Sequence, residues 1–397
     1  MKIINIKDSA EAIAVFKKIG VDPYGIDAMT PKTINLNILI EKQPCKIANI
    51  IKQEMLSLGG DAAVARGSVA CSIDSSRILI IGTIKQITAM AKKIEKQPFG
   101  LNKLAQDILE IITNSGQREY NWKTSRRNIK MGGKTQVMGI LNVTPDSFSD
   151  GGLFYNQQKA IDHGLQMVDE GADIIDVGGE STRPGAKSIS LRDELKRVIS
   201  VVESLVKQIK IPISIDTTKA GVAVQAIAAG AEIVNDISSL HGDKKMAKTV
   251  RDANAALILM HMRGTPPHMQ KGDLVYNNLM SEIIAYLKKS KDRALAAGIA
   301  KESIAIDPGI GFGKTPEDNF RIIRNLAELT ELGLPIVIGT SRKSFIGKVL
   351  GGEPHQRIEG TAASMTAAIM NGCHIIRVHD VVYMKKVAAI TDKILHS

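Results

Sequence analysis

Aromatic side chains are scarce in this chain of 397 residues: Phe, Trp and Tyr make up 4% of it, with one tryptophan, Trp122. With 34 glycines, that composition suits a small-residue α/β protein with many tight loops. Cysteine is rarer still. Cys45, Cys71 and Cys373 are far apart and odd in number, which excludes a disulfide framework and a cysteine metal cluster and fits a reducing, cytoplasmic setting. Long apolar runs are missing too. None approaches the ~18 residues a membrane helix needs, and Met1–Phe16 has no signal-peptide core, so no membrane partner is expected. Hydrophobic residues at 44% and charged residues at 23% exclude a disordered chain.

The formal net charge is +11, which raises the question of nucleic acid. Its distribution answers against it. Residues 1–133 hold 20 Lys and Arg against 12 Asp and Glu, whereas residues 134–397 hold 32 against 29. Half of the N-terminal excess comes from Arg118–Lys130 alone, so this is one basic stretch and not a basic protein. It reads as a solvated linker, with an anion-facing patch as the sharper alternative.

Three segments are expected. Residues 1–113 read as a small α+β domain. Strand-like runs occur at Lys2–Ile6, Ile34–Ile40 and Arg77–Gly82. Helical spacing occurs at Ala10–Ile19, Lys46–Leu58, Ile84–Lys96 and Leu101–Thr113, with Gly20 and Gly59-Gly60 where helix ends are expected. No motif in it carries chemistry. Residues 114–134 read as a basic linker or hairpin. From residue 135 to 397, eight short apolar runs recur, each followed by a helical stretch. They are Val137–Leu141, Asp173–Val177, Pro212–Ile215, Glu232–Val234, Ala256–Met260, Ser303–Ile306, Pro335–Ile338 and His374–Val378. Intervening helices include Leu191–Gln208, Gly221–Ala229, Leu274–Ala297, Glu317–Glu331 and Glu359–Met370. Two-sided apolar strands alternating with helices mean a parallel sheet. Eight units in this length predict a (β/α)8 TIM barrel.

In such barrels chemistry lies at the C-terminal ends of the strands, and polar residues stand at those ends here. They are Asn142, the Gly178–Gly185 loop, Asp216, Asn235-Asp236, His261, Asp307, the Gly339–Ser344 loop, and Arg377, His379 and Asp380. Any one of these could be a helix cap; all of them converge on one mouth. Asp216, Asn235 and Asp307 are short groups able to meet a heterocycle edge that presents an amide and an amine. Lys343, at a helix start, suits an anion. Arg377 and His379, two apart on an extended segment, share a face and with Asn142 could clamp a diphosphate. His261, between Met260 and Met262, reads as strand-end packing. No histidine pair has zinc-site spacing with a third ligand.

Several long runs carry a resemblance: Met138–Gly152, Asp176–Gly185, Ile215-Asp216-Thr217, Asp307–Lys314, Ser341–Ser344 and Arg377–Asp380. Together they resemble the dihydropteroate synthase family over about residues 134–397. The resemblance implies joining 4-aminobenzoate to 6-hydroxymethyl-7,8-dihydropterin diphosphate, with Mg²⁺ as cofactor and small molecules as partners. It implies that Asp216, Asn235, Asp307, Lys343, Met260 and Phe312 hold the pterin, and that Asn142, Thr182, Arg377 and His379 hold the diphosphate, with Asn142 near the Mg²⁺. Thr182, Arg183, Pro184 and Ser344 would line the aminobenzoate subsite, with Phe148 and Asp150 closing over it. Asp216, Asp307, Lys343, Asp150 and Phe148 are the expected catalytic residues, and a homodimer is suggested. One departure from the family pattern is Ala220, where a proline is often found near the start of the helix after Lys219. The alternative is a pterin-dependent methyltetrahydrofolate methyltransferase, which uses a similar pocket.

Overall fold

A computed structural model describes residues 1–144, 153–182, 185–265, 268–270 and 274–397, with the backbone alone for 153–156. The chain divides into two compact units, Met1–Gln117 and Arg118–Ser397.

The first unit runs α1 (Ser9–Ile19), α2 (Pro23–Thr33), β1 (Asn35–Pro44), α3 (Cys45–Ser57), β2 (Asp61–Val64), β3 (Ser75–Thr83), α4 (Ile84–Ile94) and α5 (Leu101–Gly116). Its three strands pair antiparallel in the order β1-β3-β2. Local chemistry sets the helix ends. The Asp8 side chain caps α1 and Gly20 closes it at φ +86°, where a side chain would be strained. A Thr83–Gln86 capping box opens α4. One sheet face buries Ile38, Ile40, Ile78 and Ile80 against Ile51, Met55, Ile87 and Met90. Lys2–Ile6 forms no strand: it has no pairing neighbour, and alternation alone does not make one.

The second unit begins with a hairpin, β4 (Tyr120–Lys123) and β5 (Asn128–Met131). The elements that follow are β6 (Gln136–Asn142), α6 (Leu153–Asp169), β7 (Ile174–Gly178), α7 (Leu191–Gln208), β8 (Ile213–Asp216), α8 (Ala220–Ala229), β9 (Ile233–Asp236), α9 (Met246–Asp252), β10 (Ala256–Met260), α10 (Leu279–Ala296), β11 (Ile304–Asp307), α11 (Pro316–Arg324), β12 (Val337–Ile338), α12 (Ser344–Leu350), α13 (Ile358–Met370), β13 (Ile375–Val378) and α14 (Val381–Leu395). Strands β6 to β13 pair parallel in cyclic sequence order, and a parallel bridge between Ile306 and Ile336 joins β11 to the approach to β12. The architecture is a (β/α)8 barrel. Alternate strand residues face opposite ways. Met138, Ile174, Ile258, Val337 and Ile375 fill the interior, while Val137, Ile175, Leu257, Ile338 and Ile376 pack under the helices. The helix expected over Glu317–Glu331 stops at Arg324, and a 3-10 segment continues over Leu326–Leu332.

The β4–β5 hairpin corks the N-terminal end of the barrel. Tyr120, Trp122 and Met131 join the interior cluster. Trp122 is fully buried, and its indole N–H donates to Ser303 O at 3.1 Å, just before β11. Arg127 pairs with Glu232 before β9 at 2.5 Å, and Thr124 donates to the same carboxylate at 2.7 Å. The basic stretch is therefore not uniformly solvated: Arg127 faces a buried acid, while Lys123, Arg126 and Lys130 are exposed.

Candidate active site

The strands end together, and their register sets the site. Gly178 of β7 stands opposite Asp216 of β8, Asp216 opposite Asn235 of β9, and Met260 of β10 opposite Asp307 of β11. All five are buried, Asp216, Asn235, Met260 and Asp307 at no more than 8% exposure. Arg377 of β13 reaches inward and donates through Nε to Asp176 at 2.6 Å and through a terminal nitrogen to Asp216 at 2.7 Å. Asn235 donates to the same Asp176 oxygen at 3.1 Å. Arg377 thus belongs to a network with two carboxylates and the Asn235 amide.

Electrostatics follow from burial. Burial raises the Asp216 carboxyl; Arg377 opposes that and the neighbouring Asp176 adds to it, with the outcome about 7. Burial also raises Asp307, opposed first by Lys343 and then by the Gly309 N–H it accepts at 2.6 Å. Burial lowers Lys343 to about 8, although Asp307 favours its charge. Burial works against the Arg377 charge as well, but Asp176 and Asp216 hold its pKa above the usual arginine value.

The loop after β11 carries Phe312. Lys343 Nζ lies 4.9 Å from the centre of its ring and donates to Ile310 O. Gly309 and Gly313 are obligatory here. Both have positive φ, and a Cβ would stand 2.0 Å from His261 O and 2.6 Å from Arg263 O. After β13, the His379 N–H donates to Ser341 Oγ at 3.1 Å, and Ser341 Oγ also lies 3.1 Å from His379 Nδ1. That hydroxyl can accept from the backbone N–H and donate to Nδ1 in the tautomer that carries its proton on Nε2. Arg342 forms a two-pronged pair with Asp380 at 3.0 and 2.5 Å, so it is not a free anion ligand.

Asn142 and Thr182 are half-buried, at the end of β6 and on the loop after β7, and Ser344 is exposed at the start of α12. Phe148, Asp150, Arg183 and Pro184 lie outside the described residues. The structure brings in residues that sequence reasoning passed over. Asp176 breaks an apolar strand, a visible signal. Lys219 pairs with Glu194 at 2.6 Å and with Glu180, which also accepts from the Ile189 N–H at 3.1 Å. This ties down the loop bearing Thr182. Ala220, the family departure, donates its N–H to Asp243 at 2.9 Å, a bond a proline could not make.

Residues 138–379 match the family described as "Pterin binding enzyme". The dihydropteroate synthase of Bacillus subtilis is 46% identical over 263 residues, covering 66% of this chain and 90% of that protein. The chain belongs to the dihydropteroate synthase family. A crystal structure of the Clostridium difficile enzyme of this family, described as in the presence of pteroic acid, superposes with a TM-score of 0.64 at 48% identity, covering 67% of this chain and 99% of that one. The Xanthomonas albilineans synthase with 4-aminobenzoic acid gives 0.63 at 41% identity, covering 66% and 94%. These dihydropteroate synthases match the barrel's share of the chain, so the first unit is an addition to what they share.

Proposed function

We propose that this chain condenses 6-hydroxymethyl-7,8-dihydropterin diphosphate with 4-aminobenzoate, forming dihydropteroate and diphosphate in folate synthesis. The observation that carries the reading is the set of Asp216, Asn235 and Asp307 at strand tips, buried beside Arg377 and Lys343. The carboxylates and the amide match the donor and acceptor edge of a pterin. Met260 and Phe312 pack against its rings, and Lys343 reaches it from the loop after β12.

The nucleophile is an aromatic amine, neutral at pH 7, so no strong base is required. The barrier lies in the departure of diphosphate and the positive charge left on the exocyclic methylene. The carbon–oxygen bond breaks with its electron pair leaving on the diphosphate. The dihydropterin ring delocalises the charge, and Asp216 and Asp307 favour that cationic ring. The amine nitrogen then bonds to the methylene and loses a proton. Arg377, His379 and Thr182 receive the diphosphate. Ser344 lines the aminobenzoate subsite; Arg183, Pro184, Phe148 and Asp150, which the family resemblance assigns to it, lie outside the described residues.

Among the described residues no three His, Cys, Asp or Glu side chains are grouped to hold a metal. That fits a Mg²⁺ bound mainly by substrate phosphates with one or two protein oxygens; the amide oxygen of Asn142 would be the protein's share. Mg²⁺ would supply charge neutralisation of the leaving group.

Exposed apolar residues along α14, Tyr383, Ile390 and Ile394, with Met370 of α13, support a homodimer through these helices. Ile390→Glu with Ile394→Glu should then halve the mass in solution. Three unpaired cysteines support a reducing, cytoplasmic location. The deciding experiment is a coupled assay with the pterin diphosphate and 4-aminobenzoate, with and without Mg²⁺. Metal-dependent release of diphosphate is expected. Methyl transfer from methyltetrahydrofolate to a corrinoid, with no condensation, would replace this reading with the methyltransferase.

A further inference from the structure

Behind the loop that carries Phe312 lies a buried ammonium for which the chemistry above has no use. Lys314 is 2% exposed. Its Nζ lies 2.8 Å from His261 Nδ1, 3.1 Å from Phe312 O and 3.4 Å from His261 O. Three acceptors match the three hydrogens of an ammonium, whereas a neutral amine has two. The His261 imidazole is held neutral, pushed down to about 2 by burial and then by Lys314, so Nδ1 can accept. Its ring is wedged edge-on against Tyr286, with centres 4.9 Å apart, and its backbone N–H donates to Asp307 O at 2.9 Å.

We propose that Lys314 and His261 are positioning residues for the reaction: the ammonium clips the Gly309–Gly313 loop to the end of β10 and so fixes Asp307, Phe312 and Lys343 for the pterin. The loop is held by Lys343 on Ile310 O and Lys314 on Phe312 O, and beside them by Gln270 on Gly311 O, the Tyr276 hydroxyl on Gly313 O and Asn319, which accepts from the Gly311 N–H. Gly309 lies so close to the His261 carbonyl that no side chain fits between them. Loss of the clip would loosen the segment between Asp307 and the capped start of α11 at Thr315 at Phe312, where Lys314 is the side chain that holds the carbonyl. The proposal rests on the synthase reading of the site.

The clip is also pH-sensitive. Charged groups face it from every side: Asp307 from β11, Asp318 from α11, Lys343 from the loop after β12, and Arg263 beyond His261. Burial outweighs the two acids and lowers Lys314 to about 7. As pH rises through that value the ammonium loses a proton and one of its three bonds.

The test uses the full chain, wild type, Lys314→Met and His261→Phe. Hydrogen exchange of the peptide spanning Gly309–Gly313 is measured at pH 6 and pH 8.5, corrected for intrinsic rates. Protection in the wild type should fall between the two pH values. In Lys314→Met it should be low at both, by about tenfold at pH 6, the scale of one lost hydrogen bond to a charged group. KM for the pterin diphosphate should rise about tenfold with kcat changed far less, as for lost positioning of a bound substrate. His261→Phe should act in the same direction and covers the case in which Lys314→Met misfolds. Unchanged protection and KM in both variants would overturn the proposal. If the exchange result holds while the wild type fails to turn over the pterin diphosphate, the clip stands and the substrate reading falls.

Discussion

Arg377 and Asp216 are joined at 2.7 Å across the mouth of the barrel, from β13 to β8. The arginine is what keeps a buried carboxyl ionisable near neutrality. Burial raises Asp216, Arg377 is the largest influence pulling it down, and the balance lies at about 7. Activity that needs the ionised form should therefore show an acidic limb near pH 7. In Arg377→Met that limb should move up by about one unit or more, the scale of losing an adjacent opposite charge. A pH profile of kcat/KM checks this. The stability sign is opposite to that of an ordinary surface aspartate. The folded chain holds this proton more tightly than the unfolded one, whose reference value is 3.8. The group's contribution is present below about pH 4 and is lost as pH rises through about 7.

In the proposed reading Asp307 meets the other side of the pterin ring. Asp307→Asn keeps the shape, including an acceptor for the Gly309 N–H, and removes the charge. It should cost about 2–4 kcal/mol of transition-state stabilisation, the range seen for preorganised electrostatic groups. Steady-state kinetics decide the matter. Wild-type turnover in this variant would leave the pterin assignment without support.

Stability and catalysis separate at the two ends of the barrel. Trp122→Ala empties a fully buried site and removes the bond to Ser303 O. The expected loss is about 3–5 kcal/mol, read as an earlier denaturation midpoint in urea. With the fold intact, KM for both substrates should stay at the wild-type value, because the hairpin lies at the end away from the strand tips.

The first unit should be dispensable for chemistry. The Bacillus subtilis relative is covered to 90% of its length by 66% of this chain. A chain beginning at Arg118 should retain its kcat/KM in the coupled assay. A large fall in kcat would give Met1–Gln117 a part in turnover.

The barrel was legible because parallel strands buried on both faces leave an apolar run followed by a polar tip. Ala256–Met260 and Leu191–Gln208 coincide with the observed strand and helix. Elsewhere local pattern misled. Lys2–Ile6 alternates like a strand yet pairs with nothing. Helix α2 was not among the expected elements: Pro23, Gly25 and Pro31 break helical spacing, although a proline at a first helical position favours a start. Strand-tip residues such as Asp216, Asn235 and Asp307 could be read one run at a time. The partners of Asp176 and Lys314 could not. Asp176 finds Arg377 201 positions away, and Lys314 finds His261 53 positions away. Only closure of the cylinder decides such pairs.

Trp122 and Tyr120 stopper the base of the vessel. Asp216 and Asp307, which would grip the bicyclic ring, lie almost out of solvent, while Ser344 stands at the threshold. If these acids seat the ring as proposed, the compound lying deepest enters ahead of its reaction partner, and initial-rate kinetics with product inhibition should show that order.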